Sequence, residues 1–326
     1  MIPCYNEAKT LGDVLTSIPK KIAGITKIET LVVDDGSTDR SAEVAKKFHA
    51  THIVRHKGNK GLGETFRDGR DAALHLRADI IVTIDGDGQF DASEIPLLTT
   101  PILQEKADMV TGSRFLTKRN ILHMSRLKYT GNKIFTRMVN ILVNGKFTDT
   151  QCGFRAYSRE TALRLILYGG FTYTQEVFLN LVDLGSVIRE IPVSVKYFPG
   201  RKSKISGSLW GYAKSSIGII ARTTRDLQPL KFFGIPAVIL VVSGIALETF
   251  MFIRLVVLKR TSPYRTLIDV ALGLIMIGII LFFLALIADM LREFRHNEEK
   301  ILYYLKKQQY KEQVYGYRHW PRRNRI

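Results

Sequence analysis

The chain has 326 residues, with 48 Lys and Arg against 30 Asp and Glu and a formal net charge of +18, and it is long enough for one large domain with appendages or for two domains. That charge calls for a polyanionic partner: phosphates, nucleic acid or an anionic membrane surface. The two cysteines, Cys4 and Cys152, exclude a disulfide framework and a cysteine metal site and suit a reducing compartment; no signal peptide, repeat or low-complexity tract is read.

Residues 1 to about 115 alternate apolar and amphipathic runs. Only Met1 and Ile2 precede Pro3, so the first strand is expected to begin a few residues upstream. Leu11, Val14, Leu15 and Ile18 have the spacing of a helix laid on a sheet. Lys27 to Val33 reads as a strand ending at Asp34-Asp35-Gly36-Ser37-Thr38-Asp39, where Ser37 or Thr38 is predicted to cap a helix running to Phe48. A short strand, His52 to Val54, leads to Lys57-Gly58-Asn59-Lys60-Gly61-Leu62-Gly63. That stretch is neither a Walker loop nor a G-x-G-x-x-G and by itself reads as a flexible basic turn. The following helix puts Phe66, Gly69, Ala73 and Leu76 on one face.

Ile80 to Ile84 reads as a buried strand and stops at Asp85-Gly86-Asp87-Gly88-Gln89. Residues one and three of an extended segment point the same way, so Asp85 and Asp87 can face one site. With the Gln89 carbonyl they form a hard oxygen set that suits Mg²⁺ or Mn²⁺, although taken alone they read better as a turn. Met109 to Gly112 is another strand, followed by Ser113-Arg114-Phe115. This βαβαβ order predicts a mostly parallel, doubly wound sheet whose acidic and glycine-rich turns gather along the carboxyl edge.

Tyr173 to Leu184 reads as a helix with Val177, Leu181 and Leu184 inward. Ile191, Val193, Val195 and Tyr197 then alternate as a half-buried strand, near an edge because of Pro192. It runs into the basic loop Phe198-Pro199-Gly200-Arg201-Lys202-Ser203-Lys204. Residues 208–230 are expected to form an interfacial amphipathic helix, with Trp210, Ala213, Ile217, Ile220 and Thr224 on one face. Leu127 to Val143, flanked by Arg126, Lys128 and Lys133, is a weaker candidate of the same kind. Phe232 to Ile253, apolar except for Glu248, and the uncharged Val270 to Ala288 each approach the roughly 20 residues that cross a bilayer. They read as a transmembrane hairpin, a candidate contact for a homo-oligomer. The tail after Arg292 is more basic than the connecting residues 254–266, which puts the N-terminal α/β domain and the tail on the cytoplasmic side. The expected domains are 1–207 α/β, 208–230 interfacial, 231–291 membrane hairpin and 292–326 basic tail.

In this order, Ile2-Pro3-Cys4-Tyr5-Asn6-Glu7, Val33 to Asp39, Asn59 to Gly63, Ile84 to Asp87 and Gly112 to Phe115 resemble the motifs of family 2 inverting glycosyltransferases with a GT-A fold. Asp149-Thr150-Gln151-Cys152-Gly153-Phe154-Arg155 and Gly200 to Lys204 are similar to the polyprenyl-phosphate subgroup, dolichol-phosphate mannose synthases above all. The resemblance covers roughly the first two thirds of the chain. It departs at Cys4, where the family usually has Ser or Thr.

The resemblance implies that Pro3, Tyr5, Asn6, Glu7, Asp34 or Asp35, Lys60 and Gly61 hold the nucleotide, with Glu176 near the donor sugar. It sets Asp85 against the sugar-nucleotide and Asp87 and Gln89 on the metal. Arg114, Arg126, Arg155, Arg201 and Lys204 are the candidate phosphate ligands, and Asp85, Asp87, Arg114, Arg201 and Lys204 the catalytic set. The alternatives are a structural pair of Arg114 or Arg155 with Asp108, Asp149 or Glu160, and a solvated Glu176. Asp149 either orients Arg155 or contacts the sugar. The implied reaction moves mannose from GDP-mannose to dolichyl phosphate with inversion, with UDP-glucose or an aminosugar donor as the rival. A phosphate acceptor has a second pKa near 6 and needs no strong general base. A non-catalytic nucleotide-binding protein is the rival of another class. The hairpin makes a bilayer, rather than nucleic acid, the economical polyanionic partner.

Overall fold

The computed structural model describes residues 1–116, 124, 126–167, 173–196, 218, 221–222, 224–226, 228–259, 262 and 264–312. Two units divide the chain: Met1–Ile220 with Leu302–Ile326, and Ala221–Ile301. Tyr197, the basic loop with Arg201 and Lys204, and most of the expected interfacial helix lie outside the described residues.

The first unit begins β1 (Ile2–Cys4), α1 (Leu11–Ser17), β2 (Leu31–Asp34), α2 (Ser41–Lys47), β3 (His52–Arg55), α3 (Leu62–His75) and β4 (Ile80–Thr83). It continues through α4 (Ile95–Leu103), β5 (Met109–Ser113), α5 (Arg126–Val143), β6 (Arg155–Ser158), α6 (Arg159–Arg164), α7 (Thr174–Asp183) and β7 (Ile188–Pro192). β1, β2 and β3 pair in parallel, in that order. A second ladder runs β4-β6-β5-β7, with β6 antiparallel to both neighbours and β7 parallel to β5. Main-chain bonds from Met1 N to Val82 O (2.8 Å), Ile84 N to Met1 O (3.2 Å) and Gly86 N to Pro3 O (3.4 Å) lay β1 beside β4. The two ladders are thereby joined in the order β3-β2-β1-β4-β6-β5-β7.

β1 and β2 are buried at every position, as strands covered on both faces must be. Leu11 and Val14 of α1, Leu98 and Ile102 of α4, and Ile84, Val110 and Phe154 fill the core on this sheet. The α/β expectation holds, with one addition. Arg155-Ala156-Tyr157-Ser158 is too short to show a period, yet it forms the antiparallel strand at the heart of the second ladder. The alternation of Ile191, Val193 and Val195 is present in their burial, and among the described residues β7 pairs only with β5, at the edge.

Three boundaries differ from the sequence prediction. β7 covers Ile188–Pro192, so Val193 and Val195 of the strand expected from Ile191 lie beyond it, with Val195 bridged singly to Phe90. β2 starts at Leu31 rather than Lys27. Neither Ser37 nor Thr38 caps α2, which starts at Ser41 after Arg40. Ser37 Oγ instead accepts from Asn6 N (2.9 Å), and Thr38 N donates to Asn6 Oδ1 (2.8 Å), so both residues serve a loop contact with the first strand. On α5, Phe135 and Val139 are buried while Ile134 and Ile141 remain 53% and 70% exposed, which leaves a second apolar face uncovered among the described residues.

Two helices, α8 (Pro229–Leu258) and α9 (Thr266–Glu312), are long and apolar enough to cross a membrane. Only 11% and 17% of their most apolar windows are buried, which separates them from core helices of a soluble fold. Within the second unit they pack through small residues. A Cβ on Gly244 would stand 2.6 Å from Ile275 Cγ1, and one on Gly278 would stand 2.6 Å from Val241 Cγ2 and 2.9 Å from the Ala237 carbonyl. Ala237, Ala271 and Ala285 are likewise buried. Arg295 pairs with Asp226 at 3.2 Å, so the approach to α8 and the exit of α9 lie at one end of the hairpin. Glu248 keeps Oε1 buried, without a hydrogen-bond partner among the described residues. From Leu302 onward α9 belongs to the first unit: Tyr303 donates to Glu160, and Tyr310 sits edge-on to His75 at 4.8 Å.

Because such close contacts admit no side chain, Gly278→Val is expected to destabilise the hairpin by about 1–3 kcal/mol through overpacking. Gly273→Val, where an added Cβ meets nothing within 4 Å, is the control. Thermal unfolding of both variants in the same detergent checks this: equal midpoints would contradict the close seam.

Candidate active site

At the carboxyl edge of the sheet lie the ends of β1, β2, β3, β4 and β5. The antiparallel β6 starts there too, so its leading loop joins them. Asn6, Asp34, Lys60, Asp85, Arg114 and Asp149 therefore come from six segments far apart in sequence.

The segments after β1, β2 and β3 are latched together. Asn6 has φ +54°, a left-handed conformation that Asn tolerates, and its Oδ1 receives Thr38 N (2.8 Å) and Asp39 N (3.2 Å). Glu7 N donates to Ser41 Oγ at 2.8 Å. Asp34 is wholly buried; it accepts from Ser37 N (2.9 Å) and pairs with Arg55 (3.1 Å). Asp35 accepts Lys60 N (2.8 Å) and His56 Nδ1 (2.7 Å) on one oxygen and Gly61 N (2.9 Å) on the other. Asp35 thus holds the Lys57–Gly63 turn in place from behind, and that turn is not a loose basic loop. His56, 7% exposed and also 2.9 Å from Asp68 Oδ2, was not marked by the sequence: a single His in an unremarkable run carries no periodic or motif signal. The Lys60 ammonium reaches Asp68 at 3.3 Å. Pro3 is buried in β1, while Tyr5 and Glu7 are half-buried just beyond it.

The turn after β4 is the acidic centre. Thr10 Oγ1 donates to Gly86 O (2.8 Å) and Gln89 N to Asp87 Oδ1 (2.9 Å), which fixes the turn on both sides. The Gln89 main-chain carbonyl accepts from Lys196 N at 2.8 Å. Burial first, then the neighbouring Asp87 charge, pushes the Asp85 carboxyl well above its usual range; Arg114 and Arg155 oppose this and Glu7 adds to it. Thr83 Oγ1 holds the Gly153 carbonyl at 2.8 Å, and a Cβ on Gly153 would come 2.9 Å from Asp85 Oδ2. Gly153 is therefore required by the carboxylate beside it. Burial also pushes the Cys4 thiol up to about 11 and the Cys152 thiol up to about 12, so both behave as small core residues.

The two arginines of the motifs part company. Arg114, 7% exposed, is forked onto Asp149 through Nε (2.7 Å) and Nη2 (2.8 Å), and its main-chain N–H adds a third bond at 3.1 Å. Burial raises the Asp149 carboxyl, but the Arg114 charge and the N–H donors of Arg114 and Gln151 outweigh it and hold it below its ordinary range. Glu190 of β7 in turn accepts the main-chain N–H groups of Thr148 and Asp149. Asp149 thus orients Arg114, not Arg155. Arg155 is wholly buried, with its guanidinium on main-chain carbonyls. Glu176, in the first turn of α7, is 7% exposed and so not solvated. Arg126 opens α5, and Arg201 and Lys204 lie outside the described residues.

Residues 1–165 match the model of the family Glycosyl transferase family 2. The chain is 28% identical to the glycosyltransferase AglJ of Haloferax volcanii, covering 92% of this chain and 95% of that one. It is 29% identical to a UDP-N-acetylglucosamine–dolichyl-phosphate N-acetylglucosaminyltransferase of Methanococcus voltae, over 51% and 70%. Among solved structures, glucosyl-3-phosphoglycerate synthase of Mycobacterium tuberculosis in complex with UDP shares the fold at a TM-score of 0.53 and 22% identity, over 68% of this chain and 77% of that one.

Gly153→Ala is expected to displace the Asp85 carboxylate and lower turnover about 100-fold, since a shift of about 1 Å in a reacting group has that effect. Circular dichroism and steady-state turnover on the same preparation check this; full activity in a folded variant would contradict it. Asp149→Asn leaves the buried Arg114 without its counter-charge and should destabilise by about 3–5 kcal/mol. The folded carboxyl titrates below its unfolded value of about 3.9, so the pair's stabilisation is complete above that pH and lost as pH falls through the folded value. In urea titrations the difference between wild type and Asp149→Asn should therefore be flat from neutral pH down to about 5 and narrow only below about 4.

Proposed function

The chain belongs to glycosyl transferase family 2, and on that premise we propose that it moves a sugar, with inversion, from a nucleoside-diphosphate sugar to a polyprenyl phosphate at a membrane surface. One observation carries the reading: a half-buried carboxylate pair closes the central strand of a GT-A sheet, in a chain that also has two helices able to cross a bilayer.

Asp85 and Asp87 supply two hard oxygen donors where Glu7 adds negative potential and Arg114 and Arg155 only partly offset it. That donor set fits Mg²⁺ or Mn²⁺, with Asp87 and Gln89 as ligands and Asp85 beside them. Among the described residues no group of three His, Cys, Asp or Glu side chains could hold a metal, so the remaining positions fall to diphosphate oxygens and water, as suits magnesium. A bound cation would supply positive charge against the departing diphosphate.

This chain's own residues do the rest. The Asn6, Asp34 and Asp35 latches shape the nucleoside pocket between Tyr5, Glu7 and the Lys60–Gly61 turn, with Glu176 facing the donor sugar. Arg114, fixed by Asp149, points positive charge at the reacting phosphates. Arg126, Arg201 and Lys204 bind the acceptor phosphate. That phosphate is already ionised at neutral pH, so what remains is alignment for in-line attack and stabilisation of leaving-group charge. The exposed apolar face of α5 rests on lipid, and the basic tail favours the cytoplasmic side.

GDP-mannose is the donor implied by the motif resemblance. A UDP-sugar is the second reading, favoured by the donor named for the Methanococcus voltae relative. The purified protein is incubated with Mn²⁺, dolichyl phosphate and labelled GDP-mannose, UDP-glucose or UDP-N-acetylglucosamine, and the lipid is extracted. Label in lipid from GDP-mannose bears the first reading out; label only from a uridine donor transfers the assignment to that sugar; no labelled lipid from any donor overturns the acceptor. Asp87→Asn removes one charge without changing size and is expected to lower transfer about 100-fold or more with an unchanged circular dichroism spectrum.

A further inference from the structure

Arg155 sits at the start of β6, opposite Thr83 of β4 on one side and Thr111 of β5 on the other. Its relative exposure is 0%. Nη2 donates to two carbonyls at once, Thr150 O at 3.0 Å and Thr174 O at 2.9 Å. Phe178 lies against the guanidinium, with its ring centroid 4.9 Å away, and Tyr173 follows at 5.8 Å. Nε and Nη1 have no hydrogen-bond partner among the described residues.

A wholly buried cation held, among the described residues, by carbonyls and rings is an expensive way to fill a core, and an apolar side chain of that length would fill it at lower cost. The segments it joins explain its presence. Thr150 belongs to the loop whose Asp149 orients Arg114 and whose Gly153 lies against Asp85. Thr174 opens α7, two residues before Glu176. On the same side lie Asp85, Asp87 and Glu7, whose negative charge a fixed cation offsets without being exposed to substrate. A guanidinium with no exposed surface, and with Nη2 already on two carbonyls, offers an acceptor phosphate no edge to clamp.

We propose that Arg155 is a positioning residue, not a phosphate ligand: it ties the Asp149–Gly153 loop, and through it the Asp85 carboxylate, to the helix that carries Glu176. Two carbonyl contacts and a flat ring contact call for a planar guanidinium, which an ammonium reproduces only in part. The inference rests on the transferase reading for its kinetic consequence but not for its structural one.

Arg155→Lys and Arg155→Met are prepared in the full-length protein in lipid nanodiscs. Transfer kinetics and hydrogen–deuterium exchange are measured on both. The expected result is a kcat lowered about tenfold or more in Arg155→Met and partly restored in Arg155→Lys, with the KM for polyprenyl phosphate within about twofold of wild type. Exchange should rise in residues 149–154 and 173–177 and stay unchanged in α1 and α2. A raised acceptor KM at wild-type kcat would make Arg155 a phosphate ligand and overturn the proposal, as would unaltered exchange in both segments. If wild-type protein transfers no sugar from any donor, the proposed reaction fails, and the exchange comparison alone decides the tie. If Arg155→Met does not fold, Arg155→Lys decides by the same two measurements.

Discussion

Negative charge crowded at the end of β4 is the constraint on which the rest of the first unit depends. Asp85 and Asp87 share one short turn, with Glu7 close by, and the fold must hold them there before any substrate arrives. It does so with geometry as much as with charge. Thr10 and Thr83 fix the turn and the facing carbonyl of Gly153, the bare Gly153 backbone admits the carboxylate, and two arginines stand behind it with their own positions fixed by Asp149 and by carbonyls. A centre so arranged is preorganised: its donors and charges need little rearrangement as charge builds on a leaving group.

A second layer of organisation runs through main-chain groups. Asp34, Asp35 and Asn6 direct their oxygens at the N–H groups of neighbouring turns, with His56 buttressing Asp35. The acidic residues that stand out in the sequence thus act in two ways. Those after β4 present charge, whereas those after β2 build a wall. Sequence spacing does not separate these roles, because both appear as Asp followed by Gly at a strand end.

Much of the architecture was legible. The helix at Leu11–Ser17, the buried run before Asp85 and the two long apolar helices all carry strong periodicity or unbroken hydrophobicity. The antiparallel β6 was not legible, since four residues with an Arg and a Tyr among them show neither period nor turn chemistry. Its identity depends on neighbours more than 40 residues away in sequence. The roles of Arg114 and Arg155 were hidden for a related reason. Both are arginines in motifs and both read as phosphate ligands, until three-dimensional packing hands one a carboxylate and the other two carbonyls. His56 and Thr10 carried no signal, because a single polar residue says nothing about what the fold will bring against it.

The seam of the hairpin has a consequence for how much of that region the protein itself prescribes. Ala237, Gly244 and Met251 on one helix, and Ala271, Gly278 and Ala285 on the other, are buried and recur at intervals of seven. A sevenfold recurrence is shorter than two turns of a straight helix, so the pair must coil gently left-handed to keep those residues in register. These six positions, with Ile275 and Val241 against the two glycines, mark the seam. In a bilayer the rest of the apolar surface would answer to lipid, whose only demand is that it be oily, and there one aliphatic side chain could replace another at little cost.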